Sequence, residues 1–347
     1  MTDPAHLRKS LATLPKAEIH VHLEGSMSPA TVSQLAARYG VHASEEEVAA
    51  RYRYEDFLGF IEAFKWATSF LRTPDDYALI ARGLAEQLLA QNVIYAEATI
   101  SAGVMLWRKQ DIEKNIAAIN QAAREYQSRG LQLRWIPDVV RQFGGKEAIE
   151  VARRCAGLQS EGVVAFGMGG DELALPATDY RPAFDIARDA GLHIVAHAGE
   201  IGGPSSVIEA IEVLGAERIG HGIAVAKDPA LMARLAASGL PLEVCPTSNI
   251  RTGALAGQLG KATATMSDHP IARLVAAGVN VTISTDDPAM FEADLISEYV
   301  HAAGLGLTPK KLGQIAEASF RVAFLPWQDK NSLLKIFHAA LPASGLI

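Results

Sequence analysis

Short apolar runs alternate with helix-patterned segments along most of this chain. Runs rich in Val, Ile, Leu and Ala recur at 17–23, 93–100, 133–139, 163–168, 193–197, 218–222, 241–245 and 279–285. Near-continuous apolar strands separated by helical crossovers belong to a parallel sheet buried on both faces. Eight such units are the count that closes a (β/α)8 TIM-type barrel of the α/β class. A doubly wound sheet is the alternative, but no G-x-G-x-x-G follows an early strand.

The spacing of polar and apolar residues predicts that the stretch from about 27 to 92 is helical. Ser28-Pro29 opens one helix, with Val32, Leu35, Ala36 and Tyr39 on one face and Gly40 closing it. Phe57, Phe60, Ile61, Phe64 and Trp66 suggest a helix with an aromatic face, read as core, with a pocket wall as the alternative. Thr73-Pro74-Asp75-Asp76 caps the next helix, which buries Tyr77, Ile80, Ala81, Leu84 and Leu88. After Asp287 the pattern is helical to the end. The expected architecture is one barrel domain over residues 1–347, with a helical insertion after the first strand and a C-terminal helical extension.

Composition narrows the partners. The 347 residues are 49% hydrophobic and carry a formal net charge of −7. Without clustered Lys and Arg the chain is not expected to bind nucleic acid. Cys155 and Cys245 are the only cysteines, which fits a reducing compartment and excludes a disulfide scaffold or a Cys-based zinc ribbon. No apolar run reaches eighteen residues and MTDPAHLRKS contains no apolar leader core. The expectation is a cytoplasmic protein with no membrane partner. Oligomeric state is left open.

The chemistry gathers where the strands end, which in a barrel is the active-site face. The first strand ends His20-Val21-His22-Leu23-Glu24, the fourth Gly169-Gly170-Asp171-Glu172, and the fifth His197-Ala198-Gly199-Glu200. The sixth ends His221-Gly222, the seventh Pro246-Thr247-Ser248-Asn249, and the eighth Ser284-Thr285-Asp286-Asp287. A lone H-x-H is often a pair of half-buried histidines, and a lone Asp-Asp-Pro a helix cap. So many polar strand ends at once call for a functional explanation.

Two histidines at alternate strand positions project to the same side. With His197 and Asp286, His20 and His22 make a donor set suited to a divalent ion, zinc by default, though another metal would fit. Such an ion lowers the pKa of a bound water to around 7. Glu200, His221 and Asp287 remain as proton shuttle, orienting group and substrate partner. Two-metal barrels commonly bridge their ions through a lysine at the fourth strand's end. Here that end is glycine, so one metal is expected.

The motifs HVHLEGS, GGDE, HAGE, RIGHGI, CPTSN and STDDPAMF, in this order, resemble the adenosine deaminase family of the amidohydrolase superfamily over essentially the whole chain. The resemblance implies hydrolytic replacement of a purine 6-amino group by oxygen, with one Zn2+. It implies His20, His22, His197 and Asp286 as metal ligands. Glu200 would protonate purine N1 while hydroxide attacks C6, and His221 would orient that hydroxide. Asp287 would hold it and contact N7, and the Gly170 N–H would meet N3. His22 and Glu24 would face the substrate, Glu24 near the ribose 5′ end. The other zinc deaminase design needs P-C-x-x-C, which is absent.

The resemblance also limits the substrate to a purine nucleoside-type small molecule. The GGDE and RIGHGI forms favour a nucleoside over free adenine. Glu24, Ala165-Phe166-Gly167-Met168 and the EAFKW segment lean toward 6-aminodeoxyfutalosine, an intermediate of menaquinone synthesis with a benzoate-bearing 5′ extension. Adenosine follows closely, and adenine or another mononuclear amidohydrolase substrate is the alternative. Lys65, Arg72 and Arg141 are candidate partners for such a carboxylate. His6, His42, His193, His269, His301 and His338 are read as structural, with His269 at a helix start.

Overall fold

The computed structural model describes residues 4–54 and 57–347. Eight parallel strands follow one another around the sheet in chain order. They are β1 (Lys16–His22), β2 (Val93–Ile100), β3 (Gln132–Val140), β4 (Ala165–Gly169), β5 (His193–Ala198), β6 (Arg218–His221), β7 (Leu242–Val244) and β8 (Val281–Ile283). The gap between β8 and β1 is closed by backbone pairing: Asp286 N–H donates to His20 O at 3.1 Å, and His22 N–H to Asp286 O at 2.7 Å. The barrel seam therefore runs through three of the candidate metal ligands.

The barrel is the one expected, with β7 and β8 each two or more residues shorter than their apolar runs. The chain leaves β7 at Cys245, and Pro246 to Arg251 form a helix with proline at its first position, where the missing N–H costs nothing. This turns Ser248 and Asn249 inward, where both are buried. Beyond β8, Asp286 adopts a left-handed backbone with φ of 68°. His221 at the end of β6 does the same, with φ of 62°. Left-handed conformations are strained for residues with a Cβ and persist where surrounding structure over-determines them.

The insertion after β1 contains helices Pro29–Arg38, Glu45–Arg51, Phe57–Thr68 and Pro74–Ala90. Ser28 Oγ accepts the Thr31 N–H, capping the first as its sequence predicts. Asp76 accepts the N–H groups of Arg72 and Thr73, and also pairs with Arg38 and Tyr39. The cap of one helix thus ties it to another.

A helix at Pro4–Thr13, absent from the sequence reading, buries only Leu7 and Leu11. Its last turn and following loop are held from below by Lys16, whose buried ammonium donates to the carbonyls of Leu11 and Leu14. Helices Pro309–Val322 and Trp327–Ser344 form the C-terminal extension; the first packs on β1 and β8. Among the described residues no helix is long and apolar enough to cross a membrane.

Candidate active site

Four of the predicted residues converge. His22 Nε2 lies 3.2 Å from His197 Nε2 and 3.2 Å from Asp286 Oδ1, and His20 Nε2 lies 3.5 Å from the same oxygen. The Nδ1 atoms of His197 and His20 are occupied elsewhere. His197 Nδ1–H donates to the Met168 carbonyl at 3.0 Å. His20 Nδ1–H donates to the Glu243 carboxylate at 2.8 Å. Both rings are thereby turned so that an Nε2 lone pair faces the cluster, the arrangement expected of imidazoles that ligate a metal.

The fit to a cation rests on three ring nitrogens. His20 Nε2 is buried and makes no hydrogen bond among the described residues. The Nε2 atoms of His22 and His197 stand 3.2 Å apart, where two facing lone pairs need a cation or a proton between them. Burial and the neighbouring imidazoles hold His197 well below the usual histidine range, so it is neutral. Burial alone would raise Asp286, but His20 and His22 overcome it and hold its carboxyl well below the usual range. Ser248 Oγ donates to Asp286 Oδ2 at 2.6 Å and fixes its rotation.

Two overlapping donor groups can be drawn here. One contains His20, His197, His221 and Asp286, the other His22, Asp286 and Asp287. His221 differs from the remaining histidines in where its ring nitrogens point. Its Nδ1 is 3.0 Å from Asn249 Nδ2, and its Nε2 is 3.6 Å from Glu200 Oε2 and 3.8 Å from Asp286 Oδ2.

Below the cluster lies a buried ionic row that sequence reading missed. Glu243 on β7 holds His20 and pairs with Arg218 on β6 at 2.5 Å; Arg218 also pairs with Glu97 on β2 at 2.6 Å. Burial would raise Glu243, but Arg218 and His20 outweigh it. A charged residue inside a short apolar strand with no wet face was the available signal.

Glu200 and Asp287 are both buried carboxyls raised well above the usual range, by burial first and by Asp286 second. Each therefore keeps a proton to higher pH than a surface acid. The Glu200 loop is held by Glu172, whose oxygens accept the N–H groups of Gly199, Glu200 and Ile201 at 2.7–2.8 Å. Asp287 presses on Gly25 of the first motif: a Cβ there would lie 1.7 Å from Asp287 Oδ1. Gly25 is glycine because of that approach.

A cavity of about 350 Å³ opens over these groups. Its far wall is Phe57, Phe60, Ile61 and Phe64. The aromatic face thus serves both as pocket wall and as core: it lines the cavity, while Phe60 is buried against Phe291 and Phe57, Ile61 and Phe64 pack on the core. Trp66 falls off that face and packs against Phe70 under the Arg51 guanidinium. Gly170, with φ of 90°, lines the cavity; a Cβ there would lie 2.2 Å from Gln142 Oε1. Glu24 is not among the lining residues. Its Oε1 accepts the Ser101 N–H at 3.0 Å, and Ser101 is what lines the cavity.

Asp138 at the end of β3 was not singled out, yet it lines the cavity and is buried with Oδ1 unpartnered among the described residues. Burial, then Glu24, raises its carboxyl well above the usual range. Of the three candidate cations, Arg141 is buried and donates to the His197 carbonyl at 2.7 Å. Arg72 lies over the Tyr39 ring, away from the cavity. Lys65 is the one Lys or Arg among the described lining residues. His193 pairs with Glu217, opposite to the cavity end of β5, whereas His269, expected to be a simple helix-start residue, contacts Asn249 behind His221.

Comparison with known proteins agrees with this geometry. A family model described as adenosine deaminase matches residues 15–339. An aminodeoxyfutalosine deaminase of Streptomyces coelicolor is 42% identical over 329 residues, covering 93% of this chain and 83% of the relative. An adenine deaminase of Chelativorans sp. is 37% identical over 327 residues, covering 92% and 97%. The crystal structure of an amidohydrolase from Burkhoderia ambifaria, with bound Zn, superposes with a TM-score of 0.87 at 26% identity, covering 99% and 96%. With a barrel of this topology and a family match over nearly its whole length, the chain belongs to the adenosine deaminase family and is a hydrolytic, metal-dependent deaminase.

Proposed function

We propose that this enzyme replaces the 6-amino group of an adenine nucleoside by oxygen, releasing ammonia, and that its substrate is 6-aminodeoxyfutalosine. The observation that carries the reaction class is the convergence of His20, His22, His197 and Asp286 beside a buried Glu200 whose carboxyl is raised by burial. Zinc is the ion these residues suit, and a relative of the same fold binds it. When bound, the ion supplies the polarisation that makes water a nucleophile near neutral pH.

The remaining steps belong to the protein. Glu200 gives its proton to purine N1, which draws electron density from C6 and offsets the loss of aromaticity as C6 becomes tetrahedral. His221 and Asp287 hold the attacking oxygen against that carbon. Of the water's two protons one goes to the amino nitrogen and the other returns to Glu200; the C6–N bond then breaks, ammonia leaves, and the carbon keeps the water oxygen as a carbonyl. Gly170 is assigned to N3. Glu24 is assigned to the ribose side, acting through Ser101.

The choice among nucleosides rests on the far wall. Phe57, Phe60 and Phe64 offer an apolar surface beyond the reacting groups, with Lys65 at its rim. An aryl carboxylate on the 5′ side would lie on those rings and meet that ammonium. Lys65 is two-thirds exposed and, among the described residues, pairs with Glu62, three residues away on the same helix, a contact weak enough to be exchanged. The Streptomyces coelicolor relative supports the same substrate, while the adenine deaminase of Chelativorans sp. makes adenine the competing reading.

The test is ultraviolet absorbance on a panel of 6-aminodeoxyfutalosine, adenosine, deoxyadenosine, methylthioadenosine and adenine. The proposal expects the highest kcat/KM for the first, and a selective loss for it in Lys65→Ala. Highest kcat/KM for adenine would overturn the substrate assignment. No ammonia from any of the five would overturn the reaction.

A further inference from the structure

Behind His221 stands a row of buried polar groups that the reaction above leaves unused. Asn249 Nδ2 lies 3.0 Å from His221 Nδ1, Asn249 Oδ1 lies 3.2 Å from His269 Nε2, and the Ile271 backbone N–H meets His269 Nδ1 at 3.3 Å. His221, Asn249 and His269 are all buried, so solvent does not satisfy these atoms in their place.

The row has only one consistent direction. A backbone N–H can donate and cannot accept, so His269 Nδ1 must offer a lone pair. A neutral imidazole carries one N–H, and burial pushes His269 down to about 4, keeping it neutral. Its proton is therefore on Nε2 and is donated to Asn249. That places the amide oxygen toward His269 and the amide NH2 toward His221, an orientation fixed by the network rather than by atom size. His221 Nδ1 is then an acceptor, and its single proton sits on Nε2. Reversing the direction would set a protonated His269 Nδ1 against the Ile271 N–H.

We propose that Asn249 and His269 are positioning residues that hold His221 as its Nε2–H tautomer, directed at the space between Glu200 and Asp286. This rests on the reading of His221 as the group that holds the attacking water, and it explains two features at once. A ring nitrogen that carries a proton has no lone pair for a cation, so His221 stays out of the ligand set even though it sits within reach of His20, His197 and Asp286. The same proton is a donor to the lone pairs of an attacking oxygen.

The test is long-range 15N–1H correlation of the histidine rings in the full-length protein, metal-free and zinc-loaded, with His221→Gln used only to assign the His221 signals. Wild-type protein is expected to show an unprotonated Nδ1 and a protonated Nε2 at His221 in both forms. A protonated Nδ1 there would overturn the proposal without any variant. Asn249→Asp replaces the donating NH2 with an acceptor, so it should move the His221 proton to Nδ1. It should also lower kcat by about 100-fold or more while KM changes little. His269→Gln, which keeps an N–H toward Asn249, should retain the wild-type ring pattern and most of the rate; His269→Leu should not. An unchanged His221 pattern in Asn249→Asp would overturn the relay. A moved proton with undiminished turnover would uphold the relay and remove His221 from the deamination step instead.

Discussion

Glu172, on the loop after β4, accepts the backbone N–H of Glu200 at 2.8 Å, and the same carboxylate accepts those of Gly199 and Ile201 on either side. The residue proposed to move the proton is thus aimed by another acid 28 positions earlier in the chain. Glu172→Ala leaves these N–H groups without their charged acceptor. The expected outcome is a loss of about 2–4 kcal/mol in denaturant unfolding and a fall in kcat with metal content intact. Wild-type stability and rate in that variant would show that the loop holds itself.

Protonation of Glu200 sets a pH limit. Burial and Asp286 raise its carboxyl, so the acid form proposed to act at N1 persists to higher pH than in a surface acid and is lost as pH rises through the raised value. The kcat/KM profile should therefore fall on its alkaline side. Glu200→Gln should lose most turnover and keep its metal, because an amide cannot cycle a proton. Near-normal turnover in Glu200→Gln would remove the shuttle role.

Gly25 tests the placement of Asp287. A methyl at that position must displace the Asp287 carboxylate, since its carbon would overlap Oδ1 at 1.7 Å and Cγ at 2.4 Å. A shift of about 1 Å at a reacting group costs about 100-fold. Gly25→Ala should lower kcat on that scale while elemental analysis finds the metal unchanged. Full activity would mean Asp287 is not needed where the structure puts it.

Asp138 tests what the cavity recognises beyond the purine ring. Burial and Glu24 raise its carboxyl; in its acid form it can donate to a substrate hydroxyl, and an amide can do the same. Asp138→Asn should stay near wild type, and Asp138→Ala should raise KM for nucleosides about tenfold, the worth of one hydrogen bond. Steady-state kinetics on adenosine and adenine side by side would separate the two roles: an equal effect on both would assign Asp138 to the ring or to structure.

The fold was legible because each strand is a compact apolar run, and the site because its donors end those runs within recognisable motifs. What stayed hidden was polar and interior. Glu243 holds His20 from 223 residues away, and nothing near it in the sequence marks it apart from its charge inside an apolar strand. Asp138 was concealed in the same way inside β3. The aromatic helix was read only in part, as core, because periodicity gives one apolar face and not everything that face covers. Residues 57, 60, 61 and 64 share a face whether it meets core or substrate. The helix Pro4–Thr13 offered just two buried leucines, Leu7 and Leu11, too few for a periodic signal.

The convergence of His20, His22, His197 and Asp286 is the claim on which the chemistry depends, and metal stoichiometry tests it most directly. Elemental analysis of the purified wild-type chain beside Asp286→Ala should find one zinc per chain in the first and a clear deficit in the second, with turnover following the metal. Equal metal content in the two proteins would contradict the site.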